Sequence, residues 1–572
     1  MNASKLAVLL LFGASCTQAA TVAVSIDPAL DRRPIDPEIY GVNFAFAGQL
    51  QDPGFTVNRW GGNATTRYNY VSDVSNRGSD FVYLNVAEGS GLGPNDTTVN
   101  TFLAQTLAAG AEPLLTIGTI GWTPLNLREK RYGFSISKYG PQLQNGGFFD
   151  ADGGNGECNI AQNNSGFCVD RSPVDLIVGN DPTDTSFASG APWTTQWLQH
   201  LKARHGSAAA GGVRHYALDN EVMLWNSTHR DVHPQPATYD EIWQKTVTHA
   251  AAIKAEDPAA QVFGPVTWGY CDLFGSAADN CLDGADRDAH GDVPFVQWYL
   301  RQVCTYQQQN GVRLVDYLDL HYYPQGSNII DFNSTNLGTT ENATNSAKRM
   351  RSVKELYDPN WIAESWFADL GDGDYNHYDK PQFIRRVRAW IDAECPGTKL
   401  AITEYNWGPD LGLSSALAQA EVLAVFGREG VDLATRWVAP TIGSLVERAF
   451  RLFLDYDGNG SRVVGDSVRA VSANVDLLGA YAVERSGQRL MLVLVNKDTV
   501  STTAQLSFAS ALNGPYTVYR FDAANDVGPV ANGTIAGSAL NLVLPARTAS
   551  LVVLPASPVG VDRLFANGFE SG

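Results

Sequence analysis

Arg214-His-Tyr-Ala-Leu-Asp-Asn-Glu221 is a short β-rich run that ends in a carboxylate, and Lys399-Leu-Ala-Ile-Thr-Glu404-Tyr-Asn-Trp407 repeats the arrangement much later in the chain. A carboxyl at the C-terminal end of a buried strand is where a β/α barrel places its reactive groups. Two of them are the minimum equipment for cleaving a glycosidic bond. Taken singly, a Glu at a strand end reads as a helix N-cap or a solvated charge, because Glu is mostly exposed and usually paired when buried. The neighbours set these two apart. Asn220 precedes Glu221 and Val222-Met-Leu-Trp225 follows it, while Tyr405-Asn-Trp407 follows Glu404, so each carboxyl sits among groups that hydrogen-bond or stack on a sugar.

Outward from these runs, short apolar segments alternate with helical patterns from about residue 37 to 457. Eight strands are expected: Tyr40–Phe44, Thr56–Trp60, Pro113–Ile117, Arg214–Leu218, Gln261–Val266, Val315–Leu320, Lys399–Thr403 and Asp432–Trp437. Thr238-Tyr-Asp-Glu241 is a capping box that opens a helix ending at Asp257-Pro258, and Phe383–Ala393 and Ala416–Arg428 repeat the helical period near 3.6. Alternation of this kind calls for parallel strands with helical crossovers, and eight units close a (β/α)8 TIM barrel of the α/β class. Glu221 then follows the fourth strand and Glu404 the seventh, on one rim.

After Tyr456-Asp-Gly-Asn-Gly460 the helical period disappears and alternating strands take over: Val468–Asn474, Leu478–Glu484, Arg489–Val495, Thr502–Phe508, Tyr516–Phe521, Leu540–Leu544 and Ala549–Leu554. This is the pattern of a second, smaller all-β sandwich domain. Thr21-Val-Ala-Val-Ser-Ile26 alternates in the same way and is expected to join that sheet. The division is therefore 1–20 signal peptide, 37–457 barrel, 21–36 plus 458–555 sandwich, and 556–572 a C-terminal tail.

Composition bounds the rest. The chain has 572 residues, 44% hydrophobic and 18% charged, which suits a large core without disordered blocks. A net charge of −19 with no Lys/Arg run disfavours nucleic acid as a partner and anionic polymers as substrates. Lys5, the apolar Leu6–Phe12 and the small-residue stretch Thr17–Ala20 read as a secretion signal, so the protein is expected to be secreted, extracellular and monomeric, with no membrane association. Gly13-Ala-Ser-Cys16 lacks the large aliphatic residue of a lipid-anchoring box. Six further cysteines suit an oxidising compartment, and their spacing suggests the pairs Cys158–Cys168, Cys271–Cys281 and Cys304–Cys395, although fifteen pairings are formally open. There is no CxxC, and His229-Arg-Asp-Val-His233, in a polar stretch, is expected to be a surface loop with no metal assigned. Asp150, Asp152 and Glu157 are calcium candidates in a Gly-rich loop, for a structural ion only; no cofactor is required.

Environment must separate the two carboxyls chemically. Met223 and Trp225 favour a desolvated, protonated Glu221 as the acid; Tyr405 and other donors favour an ionised Glu404 as the nucleophile. The Asn220 amide is placed to hydrogen-bond a sugar 2-hydroxyl. Glu364 is a reserve carboxylate on the rim. Esterase, protease and phosphate-loop readings fail for want of a GxSxG elbow, an HExxH helix, and a Lys after Gly89-Ser-Gly-Leu-Gly93.

Around this pair, Asn58-Arg-Trp-Gly-Gly-Asn-Ala-Thr-Thr-Arg-Tyr-Asn69, Tyr216–Glu221, Asp319-Leu-His-Tyr-Tyr-Pro324, Trp361-Ile-Ala-Glu-Ser-Trp366, Ile402–Trp407 and Ala434-Thr-Arg-Trp437 together resemble glycoside hydrolase family 44, the endoglucanases and xyloglucanases, from about residue 22 to 555. The resemblance implies a barrel with an attached sandwich, retention of anomeric configuration, Glu221 as acid/base, Glu404 as nucleophile, and Trp60, Trp366 and Trp437 as subsite residues. His321 and Tyr323, after the sixth strand, are read as orienting the carboxylates, with Tyr323 donating to Glu404. One departure is Val222 where the family commonly has Pro after the Glu, which changes a loop and not the chemistry. The expected substrate is a cellulose-type β-1,4-glucan, with xyloglucan beside it. The alternatives are another barrel-plus-sandwich glycosidase, a xylanase or arabinofuranosidase, and a catalytically silent polysaccharide-binding protein.

Overall fold

The computed structural model describes residues 20–556 apart from 92, 281, 332–336 and 372–376. Eight parallel strands close into a barrel: Gly41–Asn43, Val57–Trp60, Glu112–Ile117, His215–Leu218, Gln261–Thr267, Tyr317–Tyr322, Lys399–Tyr405 and Leu433–Arg436, the eighth pairing with the first through Thr435 and Gly41. We refer to them as barrel strands one to eight. Val57, Leu114, Ala217, Phe263, Val266, Tyr317, Ala401 and Leu433, two from strand five and one from each of the other strands from two to eight, form a separate buried cluster that fills the lumen.

The intervening helices pack outside. Tyr239–Glu256 is capped by Thr238, whose side chain accepts from the Glu241 amide, and it stops at Asp257 before Pro258. Strand six runs two residues beyond the expected Leu320, to Tyr322, because its pairing with strand seven continues past a register shift. That shift lies in strand seven. Asp319 pairs with Ala401 and Leu320 with Ile402, but His321 pairs with Glu404, so Thr403 is an extra residue; strand eight sees the same insertion, between Ile402 and Tyr405.

A second large sheet has the order Ala20–Asp27, Asp466–Ser472, Leu478–Arg485, Arg489–Asn496, Thr548–Pro555, Thr502–Phe521, Gly528–Leu544, with Arg33–Pro34 also pairing on Asp466–Ser472. Ala20–Asp27 pairs antiparallel with Asp466–Ser472 and parallel with Thr502–Phe508. Thr502–Phe521 is thus one bent 20-residue strand, where sequence alternation suggested two; its register shifts near Ser507 and Val518 absorb the bend. Its first half pairs with Ala20–Asp27 and its last residues with Thr548–Pro555. Arg489–Asn496 shows why its run Leu-Met-Leu-Val-Leu-Val is apolar throughout: Leu490, Leu492 and Leu494 face the sheet's own core, and Met491, Val493 and Val495 join the barrel's core.

Between strands three and four, Glu157–Cys158, Cys168–Val169 and Asp175–Ile177 form a small sheet stapled by Cys158–Cys168. Cys304–Cys395 ties the helix Phe295–Asn310 to the end of Phe383–Glu394. Cys281 lies outside the described residues, and so do most of the signal segment and the tail.

Candidate active site

Side chains alternate across a strand, and this decides who enters the lumen at the barrel's C-terminal rim. In strand two, Val57 lies in the lumen cluster, so Arg59 follows it inward. Trp60 faces the other way, T-stacked on Phe102 at 5.3 Å and on Tyr68 at 5.9 Å, and is only 8% exposed. This corrects the expectation of a sugar platform there: parity puts the indole in the outer wall and gives the lumen a guanidinium. In strand six the same parity sends Tyr317, Asp319 and His321 inward. In strand seven, Ala401 faces inward and alternation alone would turn Glu404 away; the bulge at Thr403 re-aims it into the lumen, while Tyr405 packs outward at 5.0 Å from Phe426.

Glu221 arrives differently. It sits beyond strand four with φ 46°, and Asp219 also adopts positive φ, 73°. Non-glycine residues in this region cost roughly 1–2 kcal/mol each. Asp219 holds the turn: its buried carboxylate accepts from Thr66 Oγ1 at 2.6 Å, the Ile120 amide at 3.0 Å and Trp225 Nε1 at 3.3 Å, and from the Thr119 amide.

The two glutamates meet over His321. Its Nδ1 is 3.0 Å from Glu221 Oε1 and 3.6 Å from Glu404 Oε2, and one oxygen of each carboxylate and a ring nitrogen all lie within 4.8 Å of one another. Arg59, wholly buried, donates through Nη1 to Glu404 Oε1 at 2.7 Å and to Asn43 Oδ1 at 3.0 Å, and through Nη2 to Asn220 Oδ1 at 2.8 Å. The Tyr323 hydroxyl donates to Glu404 Oε2 at 2.9 Å. The Gly62 amide also donates to Asn220 Oδ1, and Asn220 Nδ2 donates to Asn63, which orients the amide.

These contacts make the carboxyls unequal. Burial pushes Glu221 well above the usual carboxylate range, the charges of Glu404 and Asp272 push it further, and only Arg59 opposes. Burial also raises Glu404, but Arg59's charge and hydrogen bond and the Tyr323 hydroxyl all pull it back. The Glu404 carboxylate therefore ionises first and Glu221 keeps the proton. Burial and Arg59 depress His321, so the ring is neutral. Its Nδ1 faces two carboxyls and is assigned the proton; buried Nε2 has no hydrogen-bond partner among the described residues. Burial raises Asp319, below the pair, to about 7, against Arg59.

Of the residues singled out from sequence, Glu221, Glu404, Asn220, His321 and Tyr323 come together. Trp437 joins them: its ring lies where a Cβ on Gly62 would approach to 2.4 Å. Trp366 is 37% exposed on the short helix Trp366–Leu370, against Phe367 at 4.5 Å, and Glu364 is spent on Arg351. Met223 and Trp225 are buried in the core, and Glu221 owes its shift to burial and to neighbouring acids. Arg59, Asn43, Asp219, Asp272 and Asp319 were not singled out. For Arg59, its two-residue spacing from Val57 was the available signal.

Two loop expectations change. His229 is buried, with a ring held neutral by burial and the charge of Arg67, and Asp231 of the same loop is buried in an ion pair with Arg67; His233 bonds Glu241. Asp150 is taken up by Lys130 and Tyr132, Asp152 by Ser135 and the Ser137 amide, and Glu157 by Asn155, so the three calcium candidates are each occupied by protein donors and do not converge. Among the described residues no helix is long and apolar enough to cross a membrane.

A sequence profile described as glycoside hydrolase family 44 matches residues 74–326. Endoglucanase A of Paenibacillus lautus is 28% identical over 510 residues, covering 86% of this chain; the chain spans 66% of that relative's length. The crystal structure of CelM2, a bifunctional glucanase-xylanase from a metagenome library, is 35% identical with a TM-score of 0.85, covering 94% of this chain and 100% of that one. The Paenibacillus polymyxa xyloglucanase of the same glycoside hydrolase family is 27% identical with a TM-score of 0.75, again covering 94% and 100%.

Proposed function

The chain belongs to glycoside hydrolase family 44, and from that premise we propose that it is a secreted endo-β-1,4-glucanase that cleaves cellulose-type glucans and xyloglucan with retention. The observation that carries the reading is the pairing of Glu221 and Glu404, whose oxygens lie within 4.8 Å of each other across the barrel mouth. Retaining glycosidases hold their carboxyls at roughly 5–5.5 Å, whereas inverting ones need about 6.5–9.5 Å to admit water between them.

In the first step Glu404 attacks the anomeric carbon as Glu221 gives its proton to the departing oxygen, and a covalent glycosyl-enzyme forms. Glu221, now ionised, then takes a proton from water that attacks the same carbon, and Glu404 leaves. Arg59 and Tyr323 hold Glu404 charged and aimed. The Asn220 amide, anchored at its oxygen by Arg59, keeps an N–H for the sugar's 2-hydroxyl. Activity on xylan is a second reading, favoured by the glucanase-xylanase at 35% identity.

The functional division follows the same lines: residues 37–457 carry the catalysis and 21–36 with 458–555 support it. Lys5, the apolar stretch after it and two disulfides between described cysteines support export to an oxidising compartment. The test is product analysis on carboxymethylcellulose, xyloglucan and xylan by wild type and Glu404→Gln. Reducing ends released by the wild type and lost in the variant support the proposal; no release from any of the three, by folded protein, overturns it.

A further inference from the structure

We infer that the rim beside strands eight and one is a distal glucan subsite, formed by Phe46, Leu411, Val438 and Ile442, that holds a sugar of a long chain beyond the cleft; the inference rests on the glucanase reading above. These four apolar side chains are 75%, 55%, 41% and 70% exposed. They stand on three separate loops, after strands one, seven and eight.

The loops are locked together by polar groups below the surface. The buried Gln49 side chain accepts from the Phe46 amide at 3.1 Å and donates to the Pro440 carbonyl at 2.7 Å, clamping the first loop to the last. The Ala439 amide donates to the Asn43 carbonyl at 2.8 Å. Asp410 accepts from the Thr441 amide at 2.8 Å and from Arg436 at 2.8 Å, tying the loop of Leu411 to that of Ile442. A clamped backbone holds its side chains in place, so the apolar surface is presented ready-made and loses little entropy on binding.

The patch is continuous with the cleft. Val438 follows Trp437, which packs on Gly62 next to Asn220 and edge-on to Phe44 at 6.0 Å; Phe46 lies two residues past Phe44. A β-1,4-glucan carries its hydroxyls equatorially and shows axial C–H faces above and below each ring. Such faces bind aromatic and aliphatic surface, and a chain that runs from Trp437 toward strand one meets this rim. Exposed apolar clusters rimmed by polar groups mark binding surfaces.

The experiment uses the full-length protein with Phe46→Ser and Ile442→Ser combined. The ratio of kcat/KM on a long soluble β-glucan to that on a short aryl cellobioside should fall at least fivefold, chiefly through KM on the polymer. Glu404→Gln carrying both changes should migrate faster than Glu404→Gln alone in gels containing the glucan. Phe46→Trp with Ile442 intact should keep the wild-type ratio, which guards against misfolding as the cause. An unchanged ratio with unchanged gel retardation overturns the inference. Failure of the wild type to cleave glucan at all would instead strike the underlying function.

Discussion

Replacing Arg59 separates the electrostatic account of Glu404 from a purely geometric one. Its guanidinium is fully buried and spends three hydrogen bonds on Glu404, Asn43 and Asn220. Arg59→Lys keeps the charge but gives up the fork, so one ammonium cannot serve both Glu404 and Asn220. A charge-assisted hydrogen bond is worth about 1.5–3 kcal/mol, which predicts a loss of roughly 10- to 150-fold in kcat/KM. Arg59→Met removes the charge as well. At about 4 Å and an effective dielectric near 20 the lost attraction is about 4 kcal/mol, and its loss raises the pH at which Glu404 ionises. The assay is the pH profile of kcat/KM on a soluble β-glucan, whose acid limb reports the ionising nucleophile. Arg59→Met should move that limb upward by at least one unit, and Arg59→Lys far less. A folded Arg59→Met enzyme whose acid limb stays with the wild type would refute the reasoning.

Glu221→Ala should lose about a thousandfold or more in kcat/KM on polymeric glucan, yet keep most of its kcat/KM on an aryl glycoside with a nitrophenol leaving group, which departs without a proton, while kcat falls there because the second step still needs Glu221 as base; equal losses in kcat/KM on both substrates would sink the acid assignment. Glu364→Gln should cost less than about threefold in kcat/KM, because it breaks a half-exposed ion pair with Arg351 worth about 0–1 kcal/mol, and a large loss would bring Glu364 into the chemistry. Burial raises Glu355 from 4.5 to about 7, and it accepts from the Tyr322 hydroxyl at 2.7 Å. A raised carboxyl contributes stability that is complete below pH 4.5 and is lost as pH climbs through 7, at about 3 kcal/mol for such a shift. Glu355→Gln should therefore show a flatter fall in Tm between pH 5 and 8 by calorimetry, and parallel slopes for the two proteins would contradict it.

How much could be seen in the residues depends on which physical rule positions them. All eight barrel strands were legible because each is a short apolar run set between helical periods, and counting them put Glu221 and Glu404 on one rim. What stayed hidden was parity. Trp60 looks like a sugar platform because it is a Trp at a strand end, but its register with Val57 faces it outward and hands the lumen to Arg59. Glu404 faces inward only because Thr403 bulges, and bulges have no sequence signature here beyond a strand that runs to Tyr405. Gly528–Leu544 escaped notice over most of its length because its exposed, polar, Gly-containing run resembles loop, and only pairing with Thr502–Phe521 makes it a strand. His229 escaped because burial beside an ion pair follows from Arg67, far away in sequence.

The second sheet bears on the site through one helix. Leu413–Glu429 is buried along nearly its whole length, which a surface helix of a barrel would not be. On its inner side Gln419 donates to the Tyr405 hydroxyl at 3.1 Å and Phe426 packs edge-on to the Tyr405 ring, the residue next to Glu404. On its outer side Glu421 takes Lys497 at 2.8 Å and the Tyr481 hydroxyl at 2.9 Å, both from the sheet. A buried ion pair adds little net stability over apolar substitutes, but removing one partner costs about 3–5 kcal/mol, so it penalises any other docking of sheet on helix. Tyr405 faces outward onto this helix, and in the bulged strand that places its neighbour Glu404 on the lumen side. The sheet fixes the helix, the helix fixes Tyr405, and Tyr405 fixes the side of the strand on which the nucleophile stands.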